Sequence, residues 1–330
     1  MRTVLSTPES GWRVSSGSAA VLGIRDQLAN AAPTTAYLML GDRCVNNCAF
    51  CTQARDSRAS EDTLSRVTWP SVMPETAVYA IAAASERGDI KRVCFQVTGG
   101  PDGYAAAMDA TARVSSASSV PICVSIAASS LEEVASLLDA GAQRVTLALD
   151  ATTPELYSRI KDRSWDDTWT LLARAARAHP GRIGTHLIAG LGETEEQFLY
   201  TADALLRLGI SIALFAFTPV RGTQMADSAP PQLEGYRRIQ AVLWLLKQGL
   251  LQIDAVRFDS FGRLRDMGMT GEALGTLLCD GDAFRTSGCP DCNRPYYNDR
   301  PGRALYNYPV PLTRDEARRE IAGLLESLGI

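Results

Sequence analysis

Short β-rich runs alternate with helical patterns along most of the chain, and this alternation restricts the available folds more than any other feature. Seven such runs occur, at residues 36–40, 92–97, 121–126, 144–149, 183–190, 212–217 and 254–258. Their nearly continuous apolar composition is typical of parallel strands that are covered by helices. A weaker run at 282–288 would supply an eighth strand.

The pattern predicts an α/β fold, a (β/α) TIM-type barrel that is complete or partial, although an open doubly wound sheet follows the same alternation. Start and stop signals for helices lie between the runs: Pro74 with Gly88, Ser130 with Glu133, Ser164 with Asp167, and Thr194 with Gln197. We predict an N-terminal helical extension at 1–35, the barrel at 36–288, and a C-terminal cysteine-containing lid with a closing helix at 289–330.

Composition limits the partners and the compartment. The 330 residues are 46% hydrophobic with a formal net charge of -4, and no basic stripe favours nucleic acid. No apolar run approaches the roughly 20 residues that cross a bilayer, and the first residues lack a secretory pattern. We therefore predict a cytoplasmic protein without a membrane partner, in which cysteines stay reduced and clustered thiols serve as metal ligands or catalytic groups.

Three of the eight cysteines fall within the eight residues "CVNNCAFC", as Cys44, Cys48 and Cys51. They follow the first predicted strand, at the end of the barrel where active sites lie. Three thiolates on a four-iron cluster leave one iron open, as a catalytic centre requires. A four-coordinate zinc site or three unrelated thiols are the alternatives.

This C-x3-C-x2-C spacing, with an aromatic residue before the last cysteine, resembles the signature of the radical S-adenosylmethionine (SAM) superfamily. The resemblance implies a [4Fe-4S] cluster whose open iron binds SAM, and a 5′-deoxyadenosyl radical that abstracts hydrogen from a substrate. Similar positions elsewhere in the chain give these candidate SAM-binding residues: Phe50, Gly99, Gly100, Asp150, Gly190 and Glu193. Valine at Gly99 is expected to block SAM while iron content stays near normal. An alternative role for Asp150 is to cap the next helix.

A narrower resemblance, to the biotin synthase branch, implies a second cluster. Cys94 and Cys123 are similar to two ligands of the auxiliary cluster of that branch, and Arg257 is similar to its arginine ligand. Glycine stands at position 184, where that branch has its remaining ligand. Buried free cysteines in the core are the alternative for the first two residues.

Cys289 and Cys292 form a C-x2-C loop between Gly288 and Pro290. Two sulfurs at this spacing can meet one metal core. If the eighth strand delivers the loop to the barrel mouth, these two cysteines converge with those of strands two and three. Otherwise Cys279 joins the C-x2-C pair as the ligand set.

The stretch "GCPDCNRPYYN" resembles sulfur-inserting enzymes of the two-component lipoyl synthase type. The resemblance implies a sulfurtransferase that acts on an octanoylated lipoyl-carrier protein, a possible sister radical SAM subunit, and an electron donor such as ferredoxin or flavodoxin. Candidate substrate residues are Arg257, Arg294, Tyr296 and Tyr297. The alternatives are a radical rearrangement, methylthio transfer, or a non-catalytic iron-sulfur scaffold.

Overall fold

The computed structural model describes residues 11–26, 31–100, 102–299 and 304–330. The strands are β1 (Trp12–Val14), β2 (Thr35–Leu40), β3 (Thr63–Leu64), β4 (Val67–Thr68), β5 (Ser71–Val72), β6 (Arg92–Val97), β7 (Ile122–Ser125), β8 (Arg144–Thr146), β9 (Ile183–Ala189), β10 (Ser211–Ala216), β11 (Arg257–Phe258) and β12 (Leu264–Asp266). The helices are α1 (Ser16–Val21), α2 (Pro74–Glu86), α3 (Gly103–Ala117), α4 (Leu131–Asp139), α5 (Pro154–Lys161), α6 (Trp165–Ala178), α7 (Glu195–Arg207), α8 (Leu233–Lys247), α9 (Gly271–Leu277) and α10 (Arg314–Leu328).

One eight-stranded sheet organises the chain, in the order β10-β9-β8-β7-β6-β2-β1-β5. Neighbouring strands from β10 to β2 pair in parallel, and helices α2 to α7 lie on the connections between them. Parallel neighbours need such crossovers because each chain segment must return to the same end of the sheet. The predicted α/β class and the parallel sheet are therefore confirmed.

The parallel strands curve into a partial barrel. Side chains from all six of them line a single cavity, which a flat sheet could not enclose. Beyond β10, the segment 285–299 takes the next place: the backbone N–H of Leu214 donates to the Ser287 hydroxyl at 3.0 Å, and Arg294 donates to the carbonyl of Leu214 at 3.3 Å. Side-chain hydrogen bonds thus attach this segment to the β10 edge of the sheet.

Two predicted barrel strands are wrong. Residues 254–258 form a 3-10 turn and the short strand β11, which pairs only with β12 in a separate hairpin. Gly262 has φ +71° in the connecting turn, so this local pairing closes at little entropic cost. Residues 282–288 contain a second 3-10 turn and the residue Gly288 at φ +120°, so no continuous strand forms there.

The predicted helix signals are confirmed. The side chains of Ser130, Ser164 and Thr194 each accept a hydrogen bond from the backbone N–H three residues later. The predicted N-terminal helix is only partly described, because residues 1–10 and 27–30 lie outside the described ranges. The described part of that region contains β1 and the six-residue helix α1. Within the described residues, none of the helices combines the length and the apolar character that crossing a membrane requires.

Candidate active site

A cavity of about 270 Å³ lies inside the curved sheet and gathers most of the cysteines. Seven of the eight line it: Cys44, Cys48, Cys51, Cys94, Cys123, Cys289 and Cys292. The eighth, Cys279, is exposed and follows helix α9, outside the cavity. The fold therefore brings together three sets of cysteines that are far apart in sequence.

Backbone contacts fix the loop that carries Cys44, Cys48 and Cys51. The N–H of Val45 donates to the carbonyl of Gly99 at 2.6 Å, and the N–H of Ala49 donates to the carbonyl of Ile160 at 2.8 Å. The N–H of Gly99 donates to the Cys44 sulfur at 3.1 Å. The loop is therefore held between the end of β6 and the end of α5, with one thiol already accepting a backbone hydrogen bond.

Two of the three loop thiols, Cys48 and Cys51, have raised pKa values. Among the residues described, no group of three or more His, Cys, Asp or Glu side chains is arranged to hold one metal ion. Burial raises the pKa of the Cys51 thiol to about 12 and also raises the pKa of the Cys48 thiol. Metal binding must therefore displace protons from both thiols.

A buried ion pair stands beside this loop. Asp150 is 5% exposed and Lys161 is 6% exposed, and the Lys161 ammonium donates to the Asp150 carboxylate. Burial lowers the pKa of Lys161, but the negative charges of Asp150 and Cys48 outweigh it, so the net shift is upward. The Lys161 nitrogen also lies 5.8 Å from the centre of the Phe50 ring. The pair therefore places two opposite charges at the wall of the cavity.

Asp150 is not the cap of the following helix. Thr153 is the N-cap of α5, and its side chain accepts from the N–H of Leu156 at 3.2 Å. Asp150 instead has φ +65° and pairs with β9: its N–H donates to the carbonyl of His186 at 2.8 Å. Asp150 lines the cavity, where its carboxylate accepts from the Lys161 ammonium.

Replacing Lys161 with methionine should destabilise the protein by about 3–5 kcal/mol, because the Asp150 carboxylate would stay buried without its partner. Adding Asp150→Asn to this variant should restore much of the loss. Denaturant unfolding of the metal-free proteins measures both changes. A loss below about 1 kcal/mol for the single variant, the value of an exposed pair, would contradict the buried pairing.

The predicted segment around Gly190 lies outside the cavity lining. Both carboxylate oxygens of Glu193 are used locally, since they accept from the N–H groups of Gly190 at 2.6 Å and Leu191 at 3.0 Å. Burial raises the pKa of Glu193. Gly190 has φ +98°, and an added Cβ would lie 2.7 Å from Pro231. In this structure Glu193 therefore shapes the turn after β9, and Gly100 also lies outside the lining.

Four further cysteines meet deeper in the same cavity. Cys94 and Cys123 are directly paired in register on β6 and β7, and the sulfurs of Cys123 and Cys289 are 3.6 Å apart. The Cys292 sulfur lies 3.2 Å from the hydroxyl of Tyr37 on β2. The C-x2-C loop therefore reaches the two strand cysteines, although it arrives on an irregular segment rather than on an eighth strand.

Hydrogen-bond donors surround these sulfurs. Gln96 donates to the Cys94 sulfur at 3.0 Å, and the Thr146 hydroxyl lies 3.4 Å from the Cys123 sulfur. The hydrogen bond with Cys123 and burial raise the pKa of Cys289, against the opposing charges of Arg144 and Arg92. Donors to sulfur and nearby cations are the features that stabilise thiolates and iron-sulfur clusters.

The C-terminal segment also delivers two of the predicted substrate residues. Arg294 stacks 4.0 Å from the centre of the Phe215 ring, and Tyr297 packs against the same ring at 5.6 Å. Both residues line the cavity, whereas the half-buried Tyr296 does not. Arg257 lies elsewhere, because its segment forms the β11–β12 hairpin and its guanidinium donates to the carbonyl of Asp254 at 2.7 Å. Arg257 therefore does not reach the second group of cysteines.

Sequence reasoning missed Lys161 and the two arginines Arg92 and Arg144. The arginines carried a signal, because both β6 and β8 begin with Arg-Val although their other residues are largely apolar. Residues two positions apart on a strand share a face. Arg92 lies two positions before Cys94 on β6, so it shares the inward face with that cysteine. Lys161 had no comparable signal, since it ends an ordinary amphipathic helix.

Comparisons with known proteins identify the family to which the chain belongs. Residues 38–205 match the family model of the radical SAM superfamily. The chain is 23% identical over 262 residues to biotin synthase from Crocosphaera subtropica. This alignment covers 76% of this chain and 66% of that protein. It is 28% identical over 193 residues to lipoyl synthase from Marinobacter nauticus. That alignment covers 54% of this chain and 51% of that protein. The matches span about half to two thirds of the length of these relatives.

Two solved structures share the fold. The FeFe-hydrogenase maturase HydG from Carboxydothermus hydrogenoformans aligns with a TM-score of 0.52 at 21% identity, over 66% of this chain and 52% of that one. Methylornithine synthase aligns with a TM-score of 0.50 at 15% identity, over 71% and 68%. Because the family model matches more than half of the chain, the protein belongs to the radical SAM superfamily, a family that implies a [4Fe-4S] cluster and SAM.

Proposed function

We propose that this radical SAM enzyme inserts sulfur into an unactivated C–H bond of an octanoyl chain carried on a lipoyl-carrier protein. The observation that carries the proposal is the meeting of Cys94, Cys123, Cys289 and Cys292 in the same cavity as Cys44, Cys48 and Cys51. The relatives named lipoyl synthase and biotin synthase support the same class of reaction. A sister radical SAM subunit and a ferredoxin or flavodoxin donor belong to the same proposal.

The residues fit two clusters. Cys44, Cys48 and Cys51 would hold the radical cluster, which together with SAM supplies the hydrogen-abstracting 5′-deoxyadenosyl radical. Cys94, Cys123, Cys289 and Cys292 would hold a second cluster, which would be the source of sulfur for the substrate carbon. Asp150 and Lys161 offer SAM an acceptor and a cation at the cavity wall. The N–H of Gly99 donates to the Cys44 sulfur, which keeps that thiol directed into the cavity.

The cavity walls are suited to an aliphatic chain. Apolar side chains from four strands and their ends line the cavity: Met39, Ile126, Ile188, Phe215 and Phe217. Such walls favour an alkyl chain because binding removes its apolar surface from water. Tyr297 is half-buried, and desolvation of its hydroxyl raises the pKa of that group, so it stays neutral beside these walls.

The test is an anaerobic assay of the reconstituted protein with SAM, a reductant and an octanoylated peptide. Mass spectrometry should detect 5′-deoxyadenosine together with a peptide that has gained sulfur in place of hydrogen. Formation of 5′-deoxyadenosine with an octanoyl group that never gains sulfur, even with a sister subunit added, would contradict the proposed reaction while leaving the family assignment intact.

Alanine at Gly99 should lower both the iron content of the radical cluster and the cleavage of SAM. A Cβ there would lie 2.6 Å from the amide nitrogen of Asn46 and 3.0 Å from the Cys44 sulfur. The structure therefore alters the expectation that iron would stay near normal, since the side chain presses on a cysteine of the loop itself. Displaced contacts next to metal ligands typically weaken binding about 10- to 100-fold.

Gly100→Ala is the matched control, because its added Cβ meets no atom within 4 Å. Iron analysis and 5′-deoxyadenosine production under limiting iron report the difference. Equal iron content in the two variants would show that Gly99 has no part in holding the cysteine loop.

A further inference from the structure

Two arginines near Cys94, Cys123, Cys289 and Cys292 each have one buried N–H donor without an acceptor. Within the described part of the chain, Nη1 of Arg92 and Nε of Arg144 are buried and make no hydrogen bond. Arg92 is only 2% exposed. A buried donor without a partner costs about 1–3 kcal/mol, and more when it carries charge. Such donors lower the stability of the folded protein unless a ligand accepts hydrogen bonds from them.

The hydrogen bonds that Arg92 does make direct it to the C-x2-C loop. Its Nε donates to the carbonyl of Pro290 at 3.0 Å, and Pro290 lies between the two cysteines of that loop. Arg92 also precedes Cys94 by two residues on β6, so both side chains are on the inward face of the strand. The guanidinium therefore lies against the C-x2-C loop, on the face of β6 that carries Cys94.

Arg144 reaches the same group from the opposite side. It starts β8, crosses Gly184 on β9 and donates to the hydroxyl of Ser211 on β10. A Cβ at Gly184 would lie 3.8 Å from Cδ of Arg144 and 3.0 Å from the Thr146 hydroxyl. Glycine at this position therefore leaves the space through which the arginine side chain extends.

No carboxylate balances these charges among the residues described. Neither Arg92 nor Arg144 takes part in an ion pair there, and Arg294, which lines the same cavity, donates only to the carbonyls of Ser287 and Leu214. Three guanidinium groups thus lie near the thiols of Cys289 and Cys292, those of the buried Arg92 and the half-buried Arg144 and Arg294. A desolvated cation without an anion is unfavourable. An oxidised iron-sulfur cluster with four thiolate ligands is a dianion, so its charge and its sulfur acceptors match what this pocket lacks.

We propose that Arg92 and Arg144 donate their free N–H groups to the sulfur atoms of the second cluster and raise its reduction potential. This inference rests on the proposed function, because it takes the four deeper cysteines as ligands. The arginines act as positioning residues: they contact sulfur that the cysteines hold and do not replace a thiolate. Hydrogen bonds and net charge are established determinants of cluster potential.

The test uses the full-length reconstituted protein and potentiometric titration followed by electron paramagnetic resonance. The second cluster is identified as the signal that SAM does not perturb. At a fixed potential, Arg92→Gln and Arg144→Gln should each lower the ratio of reduced to oxidised second cluster at least tenfold. This corresponds to a fall of about 59 mV in the reduction potential of a one-electron couple. Arg144→Lys should recover part of the shift because it keeps the charge. The control Arg87→Gln removes an exposed arginine that pairs with Asp89 and should cause no shift.

Gly184→Ala provides a second route if an arginine variant folds poorly. It keeps the guanidinium but crowds its path, so the potential should move in the same direction by a smaller amount. A retained second cluster with unchanged potential in Arg92→Gln, Arg144→Gln and Gly184→Ala would overturn the inference and leave sulfur insertion standing. Shifted potentials without sulfur-containing product would support the inference and overturn the proposed reaction. A wild-type protein that binds only one cluster would overturn both.

Discussion

Replacing both Cys289 and Cys292 with alanine should remove one iron-sulfur cluster and abolish sulfur insertion, while reductive cleavage of SAM continues. The two thiols supply half of the deeper cysteine group, and the Cys289 sulfur already lies 3.6 Å from that of Cys123. The wild type should bind about eight irons per chain if both clusters have four irons, and the double variant about four. Iron analysis, Mössbauer spectra and product mass spectra measure these effects.

Cys279→Ala is the matched control, because this cysteine is exposed and lies outside the cavity. It should retain both clusters and full product formation. Loss of the second cluster in this control would favour the alternative ligand set of Cys279 with the C-x2-C pair. Two clusters in the double variant would contradict ligation by the C-terminal loop and would leave Cys94 and Cys123 as the anchors.

Alanine at any one of Cys44, Cys48 or Cys51 should abolish 5′-deoxyadenosine production and remove the radical cluster. These three thiols are the chain's only proposed anchors for that cluster, and thiolates hold iron-sulfur clusters directly. The second cluster should remain, because its four cysteines lie on other segments. Iron content should therefore fall by one cluster rather than to zero.

Product analysis after a single turnover in the presence of SAM and dithionite separates the two roles. Each single variant should yield neither 5′-deoxyadenosine nor sulfur-containing peptide. Wild-type levels of 5′-deoxyadenosine in any of the three would contradict the assignment of the radical cluster to this loop.

Local patterns predicted the parallel strands well because their signals lie within the strands themselves. The run at 92–97 coincides with β6, and the Thr194 capping box is present in the structure. The two failures, at 254–258 and 282–288, are stretches in which local geometry competes with the sheet. The hairpin at Gly262 and the left-handed Gly288 decide their conformations.

The candidate site was only partly predictable. The cysteine spacing identified Cys44, Cys48 and Cys51 without knowledge of the fold, because their geometry is local. The meeting of Cys289 with Cys123 depends on the path of an irregular segment, which sequence periodicity does not describe. The path of the Arg144 side chain depends on the space left by Gly184, which lies on a different strand. Contacts of this kind are set by tertiary packing: the Arg-Val start of β8 marks Arg144 as unusual but does not show which residues it contacts.

The most direct test of the central claim follows the sulfur atom itself. The protein is reconstituted with sulfide enriched in a heavy sulfur isotope, freed of unbound sulfide, and given SAM, reductant and an octanoylated peptide for a single turnover. If the four deeper cysteines hold the sulfur source, mass spectrometry should find the heavy isotope in the peptide, and Cys289→Ala with Cys292→Ala should eliminate it. Product that carries only unlabelled sulfur, or labelled product from the double variant, would contradict the account.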